Sequence, residues 1–356
     1  MDTYTDETQP VRPGEELNLA LLEPYLRKQF PQMEGPLVVK QFPHGHSNLT
    51  YLLRWGNGEM VLRRPPFGNQ VKSAHDMSRE FRVLAKLWNV FPPAPRPYLF
   101  CEDESILGGP FYVMERRRGT IFRRTSPGDA RLTPEAARKL SLTLIDNLAQ
   151  LHSLDYQAAG LGDLGKPEGY ISRQVSGWIE RYRKSQTDNV PAMETISSYL
   201  TTNMPSEPGG TALIHNDFKY DNLLFDPADW TKIVAVFDWE MATIGDPLMD
   251  LGSTLGYWVE PTDSDAMKAF AFGPTIVPGS MTRQELAERY AKKTGKDISH
   301  MLFYYCYGMY KIAVIIQQIY VRYFRGYTKD ERFSRLNERV ADTAQATVQA
   351  LATGKY

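Results

Sequence analysis

The sequence predicts an α+β fold of two lobes, in which a small amino-terminal lobe has an antiparallel sheet plus a helix and a larger carboxyl-terminal lobe is mostly helical. Three observations predict it. The chain has 356 residues, more than one hydrophobic core usually serves. Short β-compatible runs separated by turns crowd its first third, and apolar stripes at helical spacing dominate the rest. We expect the amino-terminal lobe over residues 1–115 and the carboxyl-terminal lobe over residues 116–356.

The elements of the amino-terminal lobe follow from periodicity and turn residues. The turn Trp55-Gly56-Asn57-Gly58 separates two β-compatible runs and predicts a hairpin, and Pro65-Pro66 ends the second run. A later helix ends at a proline-rich stretch that begins at Phe91. In order, we predict a helix over 18–29, strands over 37–42, 49–54 and 59–64, a helix over 73–89, and strands over 98–102 and 111–115.

The carboxyl-terminal lobe is predicted to begin with a long helix over Thr133 to Ser153, because Thr-Pro-Glu is a typical helix start. Short strands flank Asp217 and Asp238, and helices follow to the end of the chain. The apolar stretch from Met301 to Tyr320 is interpreted as a buried helix, since Lys311 and a glutamine pair interrupt it.

Composition excludes several classes of protein. A formal net charge of -1 provides no field suited to nucleic acid, so we expect no nucleic-acid partner. The two cysteines, Cys101 and Cys306, are far apart and predict neither a disulfide framework nor a zinc site. The polar, acidic amino terminus lacks the pattern of a signal peptide. We therefore expect a cytoplasmic protein without membrane insertion.

Candidate catalytic residues lie between Ala212 and Glu240, where strands alternate with polar loops. Phosphoryl transfer requires a carboxylate to orient or deprotonate the acceptor hydroxyl and oxygen ligands that hold magnesium. Asp217, Asn222 and Asp238 supply that set. Each of them, taken singly, could instead make only the turn hydrogen bonds that Asp and Asn often form. Their order within one short segment favours an active site.

The spacing His215-x-Asp217-x-x-x-x-Asn222, followed by Asp238 on the next strand, resembles the catalytic loop and metal-binding Asp of the protein kinase superfamily. The resemblance implies a protein-kinase-like fold, with Asp217 as the catalytic base and Asn222 and Asp238 as magnesium ligands. His215 would brace the loop. Lys219 is a second catalytic candidate that could contact the transferred phosphate or simply lie in solvent.

The residues after Asp238 narrow the resemblance. Trp239 replaces Phe-Gly, and Gly245-Asp246-Pro247 with Asp250 follows, which is similar to the aminoglycoside phosphotransferase and choline kinase-like family rather than to protein kinases. The family implies ATP and Mg²⁺ as cofactors and a small-molecule hydroxyl acceptor as the partner. Asp250 would buttress the catalytic loop.

The nucleotide-binding side is also implied by this resemblance. Gly45, Ser47 and Asn48 lie in a loop similar to the family's phosphate-covering loop, although GxGxxG is absent and the turn could be a plain hairpin. Arg63 stands where kinases place a phosphate-binding Lys, with Glu80 as its partner on the next helix. Arg64 is the alternative if the register differs by one.

Backbone groups near Glu115 and Arg117 are expected to meet adenine, because the strand Phe111–Glu115 resembles the one that enters the connection between kinase lobes. The assignment depends on order along the chain. As side chains, these residues could serve only in packing.

The acceptor is expected to bind to a different set of residues. By resemblance its pocket is built from Trp178 to Arg183, Leu255 to Glu260 and Met301 to Arg325, and the stretch from Phe303 to Arg325 contains no acid. Polycationic aminoglycosides would need several carboxylates there, so an acceptor with an apolar portion and an anionic group fits better. The same aromatic stripe could equally be core.

Across most of its length the sequence is similar to the branch that forms the amino-terminal phosphotransferase domain of certain acyl-CoA dehydrogenase family proteins. Gly45-His-Ser-Asn-Leu-Thr-Tyr51 and Val61-Leu-Arg-Arg-Pro-Pro66 carry that similarity. It implies a hydroxylated acyl or acyl-CoA acceptor. The alternatives are a catalytically weak nucleotide-binding pseudokinase module or an aminoglycoside kinase.

Overall fold

The computed structural model of the protein describes residues 8–43, 48–56, 58–67, 77–123, 132–206 and 209–356. The chain forms two compact units, and each is discontinuous in sequence. Unit 1 combines Met1–Ile121 with Leu223–Ala242, and unit 2 combines Phe122–Asn222 with Thr243–Tyr356. The predicted lobes, 1–115 and 116–356, are a continuous division of the chain, and that boundary stays a prediction.

The described residues form helices and strands in an α+β arrangement, which confirms the predicted class. In chain order the elements are α1 (Leu19–Gln29), β1 (Leu37–Gln41), β2 (Leu49–Trp55), β3 (Gly58–Arg64), α2 (Met77–Leu87), β4 (Pro97–Cys101), α3 (Glu104–Leu107), β5 (Phe111–Glu115), α4 (Pro134–His152), α5 (Tyr170–Ser185), α6 (Pro191–Thr202), β6 (Ala212–Ile214), β7 (Leu223–Phe225), β8 (Ile233–Val236), β9 (Thr243–Gly245), α7 (Pro247–Gly256), α8 (Asp265–Lys268), α9 (Arg283–Thr294), α10 (Met301–Phe324) and α11 (Leu336–Thr353).

Unit 1 is built on one antiparallel sheet in the order β1-β2-β3-β5-β4. The predicted hairpin closes where Trp55 pairs with Gly58, and β3 lies in the middle of the sheet with fully buried Leu62. The strands β7 and β8 pair with each other, and the backbone of Phe225 exchanges hydrogen bonds with Thr120. Residues late in the sequence therefore complete the unit that the first strands begin.

Unit 2 is mostly helical, with the short antiparallel pair β6–β9 beside the helices. Helix α4 begins as the sequence predicts, because the Thr133 hydroxyl accepts a hydrogen bond from the backbone N–H of Ala136 and Pro134 occupies the first turn. The stretch interpreted as a buried helix is α10, and most of its residues up to Val314 are buried. In the described part of the chain no helix is long and apolar enough to span a membrane.

Helices α7 and α10 touch through their backbones at two glycines. A Cβ atom added to Gly252 would lie 2.1 Å from the carbonyl oxygen of Tyr304, and one added to Gly308 would lie 2.2 Å from the carbonyl oxygen of Gly252. No side chain fits at either position unless a backbone moves. The two glycines therefore fix the separation of α7 and α10.

We predict that Gly252→Ala lowers the free energy of unfolding by about 1–3 kcal/mol, because the added methyl group forces the two helices apart. Chemical denaturation of both proteins measures the change. The matched control is Gly177→Ala in α5, where the nearest atom to an added Cβ is the flexible Arg181 guanidinium at 3.5 Å. That variant should be as stable as the wild type or more stable. Equal stability of Gly252→Ala and the wild type would contradict the close-contact interpretation.

Candidate active site

The catalytic loop predicted from sequence lies in unit 2 directly after β6. Its backbone is held by one buried carboxylate: Asp250 Oδ2 accepts from the N–H of His215 at 2.7 Å, and Asp250 Oδ1 accepts from the N–H of Asn216 at 2.8 Å. Asn216 has a φ of 67°, in the left-handed region that non-glycine residues seldom adopt. The structure thus confirms that Asp250 buttresses this loop.

Asp217 lies next in the loop, and its carboxylate is surrounded by donors from unit 2. The Lys219 ammonium donates to both oxygens, at 2.9 and 2.8 Å, and Asn222 Nδ2 donates to Oδ2 at 2.8 Å. The side chain is 14% exposed, so it is reachable but largely desolvated. Three of the predicted site residues, Asp217, Lys219 and Asn222, are therefore in direct contact.

The charge of Lys219 determines the ionisation of Asp217. Burial by itself would raise the pKa of the Asp217 carboxyl, but the Lys219 ammonium outweighs it and holds this pKa below the ordinary value. The partner effect on Lys219 is opposite: burial would lower its pKa, and the Asp217 charge raises it above the ordinary value. The two groups form an ionised pair, so Asp217 is a carboxylate at neutral pH.

Aromatic side chains border this pair. The Lys219 ammonium lies 4.6 Å from the ring centre of Tyr257 and 5.3 Å from that of Phe272. Tyr257 was not singled out from the sequence as an individual site residue. It ends α7, far along the chain from the loop, and only the path of that helix brings it here.

A second group of predicted residues meets inside unit 1. Arg63 Nη2 lies 3.0 Å from Asp238 Oδ1 and 3.3 Å from Glu80 Oε2. Glu80 Oε1 also accepts a hydrogen bond from the backbone N–H of Trp239 at 3.2 Å. The guanidinium of Arg63 therefore lies between two carboxylates, that of Glu80 in α2 and that of Asp238 in the segment after β8.

The two carboxylates differ in exposure. The Glu80 side chain is 1% exposed and the Asp238 side chain 26%. Burial raises the pKa of the Glu80 carboxyl, and the attraction of Arg63 opposes that rise. Arg64, the alternative clamp residue, instead donates to the carbonyl oxygen of Leu107 at 2.8 Å, so Glu80 pairs with Arg63 and not with its neighbour.

The donor chemistry of Asp238 fits magnesium. Mg²⁺ prefers oxygen ligands and is usually held by one or two carboxylates together with substrate phosphates. Asp238 offers a partly exposed carboxylate and has a φ of 68°, a second non-glycine residue in the left-handed region. Over the described ranges there is no group of three or more His, Cys, Asp or Glu side chains arranged to hold a metal.

The remaining predicted nucleotide-binding residues have separate environments. Gly45 and Ser47 lie outside the described residues. Asn48 is buried, and its Nδ2 donates to Glu240 Oε2 at 3.1 Å. Glu115 and Arg117 form an ion pair of 2.8 Å with about a third of each side chain exposed. The roles assigned to these residues toward a nucleotide stay predictions.

The aromatic segment predicted to line the acceptor pocket is mainly core. Tyr304, Tyr305, Tyr307 and Tyr310 are each at most 3% exposed. Within α10, an exposed aromatic ring occurs near the end of the helix, at Phe324, which is 63% exposed. Burial therefore favours the core interpretation for the first half of α10. Of the two rings beside Lys219, Tyr257 lies in another predicted pocket segment, Leu255 to Glu260, and Phe272 lies in none of them.

Comparison with known proteins agrees with this geometry. A model of the phosphotransferase enzyme family, APH, matches residues 38–286, which is more than half of the chain. A solved structure from Ralstonia eutropha jmp134, provisionally described as an aminoglycoside phosphotransferase, is 30% identical and has a TM-score of 0.80. The similarity covers 95% of this chain and 99% of that one.

A more distant solved structure is that of APH(2")-IIIa in complex with GDP and kanamycin, at 15% identity and a TM-score of 0.61 over 93% of this chain and 98% of that one. At this identity the likeness concerns the fold alone.

Curated relatives are longer proteins. Acyl-CoA dehydrogenase family member 10 of Mus musculus is 35% identical over 95% of this chain, and family member 11 of Rattus norvegicus is 35% identical over 92%. The chain spans 32% and 42% of the length of these two relatives. With the kinase-like fold and the family match over residues 38–286, these findings establish that the chain belongs to the phosphotransferase enzyme family.

Proposed function

We propose that this chain is an ATP- and magnesium-dependent kinase that phosphorylates a hydroxyl of a small molecule. The observation that carries the proposal is the Asp217 carboxylate, ionised and fixed by Lys219 and Asn222. A carboxylate held in this way can accept a hydrogen bond from an acceptor hydroxyl and orient its oxygen. Family membership supports phosphoryl transfer as the reaction.

Unit 1 is proposed to bind the nucleotide. Arg63 is assigned to the α- and β-phosphates, where its planar guanidinium can donate two hydrogen bonds, and Glu80 holds it from the buried side. Asp238 and the amide oxygen of Asn222 are the proposed magnesium ligands; bound magnesium would neutralise negative charge on the phosphates. The GDP complex of a structurally similar protein supports a nucleotide as the phosphoryl donor.

In the proposed reaction Asp217 orients the acceptor hydroxyl and receives its proton. The hydroxyl oxygen forms a bond to the γ-phosphorus while the bond from that phosphorus to the bridging oxygen of ADP breaks. Because the pKa of Asp217 is low, the carboxylate is a weak base, and proton transfer is expected late, once the oxygen is already bonding to phosphorus. Lys219 remains beside the transferred group and can stabilise its charge.

The proposed acceptor is a hydroxylated acyl compound, such as a hydroxyacyl-CoA. The relatives named as acyl-CoA dehydrogenase family members support this class, because they match nearly the whole chain at 35% identity. The surroundings of Asp217 are also suited to it, since Tyr257 and Phe272 are aromatic and Lys219 is cationic. A polycationic aminoglycoside would instead favour several carboxylates.

The direct test is magnesium-dependent ATP consumption against a panel of hydroxy acids, hydroxyacyl-CoAs, aminoglycosides and simple alcohols. We expect stimulation by the hydroxyacyl compounds and phosphate recovered on their hydroxyl. Stimulation by aminoglycosides alone would show that the proposed acceptor class is wrong and would still support kinase activity. Tight ATP binding without turnover on any compound would instead indicate a nucleotide-binding module of the pseudokinase type.

We predict that Asp217→Asn lowers kcat by about 10²–10⁴-fold, because the amide cannot accept the proton of the acceptor. Nucleotide affinity should stay within about threefold of wild type, since Asp217 serves the acceptor. The matched control is Asp229→Asn, the same change at an exposed turn residue paired with Lys232. Equal activity of Asp217→Asn and the control would remove Asp217 from the mechanism.

Asp238→Asn is expected to weaken magnesium-dependent nucleotide binding by about 10–100-fold, because a charged oxygen ligand is lost. Calorimetric titration with ATP, with magnesium and after chelation, measures the effect. For the wild type, chelation should weaken binding strongly, whereas for Asp238→Asn it should change little. A variant that responds to chelation as the wild type does would show that Asp238 is not a metal ligand.

The pKa of Asp217 leads to a prediction for the pH profile. With Lys219 present, Asp217 stays ionised until the pH falls below its ordinary pKa of 3.8, so wild-type kcat should show no acid limb from Asp217 near neutrality. In Lys219→Met, the largest effect that lowers this pKa is lost while burial remains, so the pKa rises and the acid limb of kcat moves to higher pH. Superimposable acid limbs in the two proteins would contradict the ion-pair explanation.

A further inference from the structure

A buried cation in α10 has no part in the chemistry proposed above. Lys311 is 1% exposed, and its ammonium donates a hydrogen bond of 2.5 Å to the backbone carbonyl oxygen of Asn216. Burying an ammonium costs free energy unless charged or polar partners compensate. A lysine at this position is therefore expected to serve a purpose other than core packing.

The residue that Lys311 binds is the one immediately before Asp217. Three elements hold Asn216: Asp250 of α7 accepts from its N–H, Lys311 of α10 donates to its carbonyl oxygen, and its side-chain Nδ2 lies 3.4 Å from the Tyr170 hydroxyl of α5. Asn216 also has the unfavourable left-handed φ of 67°. Such a conformation persists only where its surroundings enforce it.

The helix packing determines where the two charged groups lie. Gly252 is two residues after Asp250 on α7, and Gly308 is three residues before Lys311 on α10. Because the helix backbones touch at these glycines, the carboxylate and the ammonium are placed at a fixed separation, one on each side of the same loop backbone. Both side chains form hydrogen bonds to that backbone at Asn216: the carboxylate accepts from its N–H, and the ammonium donates to its carbonyl oxygen.

We propose that Lys311 is a positioning residue: through the Asn216 carbonyl it fixes the direction of the Asp217 carboxylate and so sets the turnover number rather than the affinity for nucleotide. The effect on turnover depends on the proposed function, in which Asp217 orients the acceptor. The effect of Lys311 on the loop backbone is independent of the proposed function.

The free-energy cost of burying the Lys311 ammonium argues against a role in stability alone. Burial lowers the pKa of its ammonium to about 8, against the attraction of Asp250 and Asp217. Lys219 and Arg181 add repulsion. The pKa is 10.5 without these effects, so this group disfavours the folded state fully below about pH 8, and the penalty is relieved as the pH rises from there toward 10.5. An apolar side chain would avoid that penalty.

The test compares Lys311→Met with Gln317→Met. Gln317 lies on the same helix, in the segment predicted from sequence to line the acceptor pocket, but it is 2% exposed and donates from Nε2 to the backbone carbonyl of Ser185 at 2.8 Å, so its side chain belongs to the core. Both variants remove a buried hydrogen bond from α10 to a backbone carbonyl, and Gln317→Met also removes the hydrogen bond that Nε2 donates to Thr187 Oγ1 at 3.0 Å. Of the two side chains, only that of Lys311 bonds to the catalytic loop. Three measurements are made at neutral pH: steady-state kinetics with the acceptor found in the panel, chemical denaturation, and amide hydrogen exchange of the peptide spanning 213–219.

For Lys311→Met we expect kcat to fall by about 10–100-fold with KM for ATP unchanged within about twofold. Exchange of the 213–219 amides should rise about tenfold or more. Its denaturation midpoint should be no lower than that of Gln317→Met, whose turnover and loop exchange should match the wild type.

Wild-type turnover and loop exchange in Lys311→Met, or the same losses in both variants, would overturn the proposal. If Lys311→Met does not fold, Lys311→Leu carries the same test, because leucine also lacks a donor for the Asn216 carbonyl. Failure of both variants to fold would show that the lysine is structural and would overturn the proposal as well. If no acceptor supports turnover in the wild type, the proposed function fails, while loop exchange still decides whether Lys311 holds the loop.

Discussion

The geometry around Asp217, the proposed catalytic residue, depends on one buried carboxylate. Asp250 is fully buried, accepts two backbone N–H groups of the loop before Asp217, and pairs with His152 at 3.0 Å. The other ring nitrogen of His152 lies 2.7 Å from the Tyr290 hydroxyl. A buried charge without such partners would strongly destabilise the fold. The loop therefore takes its shape from helices α4, α7 and α9, which carry no reacting group themselves.

The group of residues in unit 1 that is proposed to bind the nucleotide is also organised around a buried ionic side chain. Here a cation is central, because Arg63 is flanked by a nearly inaccessible carboxylate, Glu80, and a partly exposed one, Asp238. The inaccessible partner fixes the guanidinium, and the exposed partner is available to an incoming ligand. In both units a buried ionic group positions a more accessible one, which is how a preorganised site keeps its geometry before substrate arrives.

The motif residues were predictable from sequence because their spacing is local. The contact between Asp217 and Asn222 spans five residues of one loop, and a short loop leaves few arrangements for it. The ion pair between Arg63 and Glu80 was predictable only from the resemblance to kinases. Tyr257 and Lys311 lie in segments assigned to the acceptor pocket, but their contacts with Lys219 and Asn216 could not be predicted, because helix packing alone brings them to the loop. The aromatic stripe of α10 pointed to a pocket, yet periodicity does not distinguish a lining helix from a core helix, and burial shows that Tyr304 to Tyr310 are core.

The discontinuity of unit 1 has a consequence for synthesis of the chain. Strands β7 and β8 belong to unit 1 but are translated after residues 122–222 of unit 2. A nascent chain that ends before Leu223 has its first five strands but lacks the backbone partner of Thr120 and the carboxylate that pairs with Arg63. Domains usually fold as units during synthesis, with the amino-terminal one first. Here the amino-terminal unit must wait for its last segment, so it is expected to complete its fold only after residues 122–222 of the other unit have been synthesised.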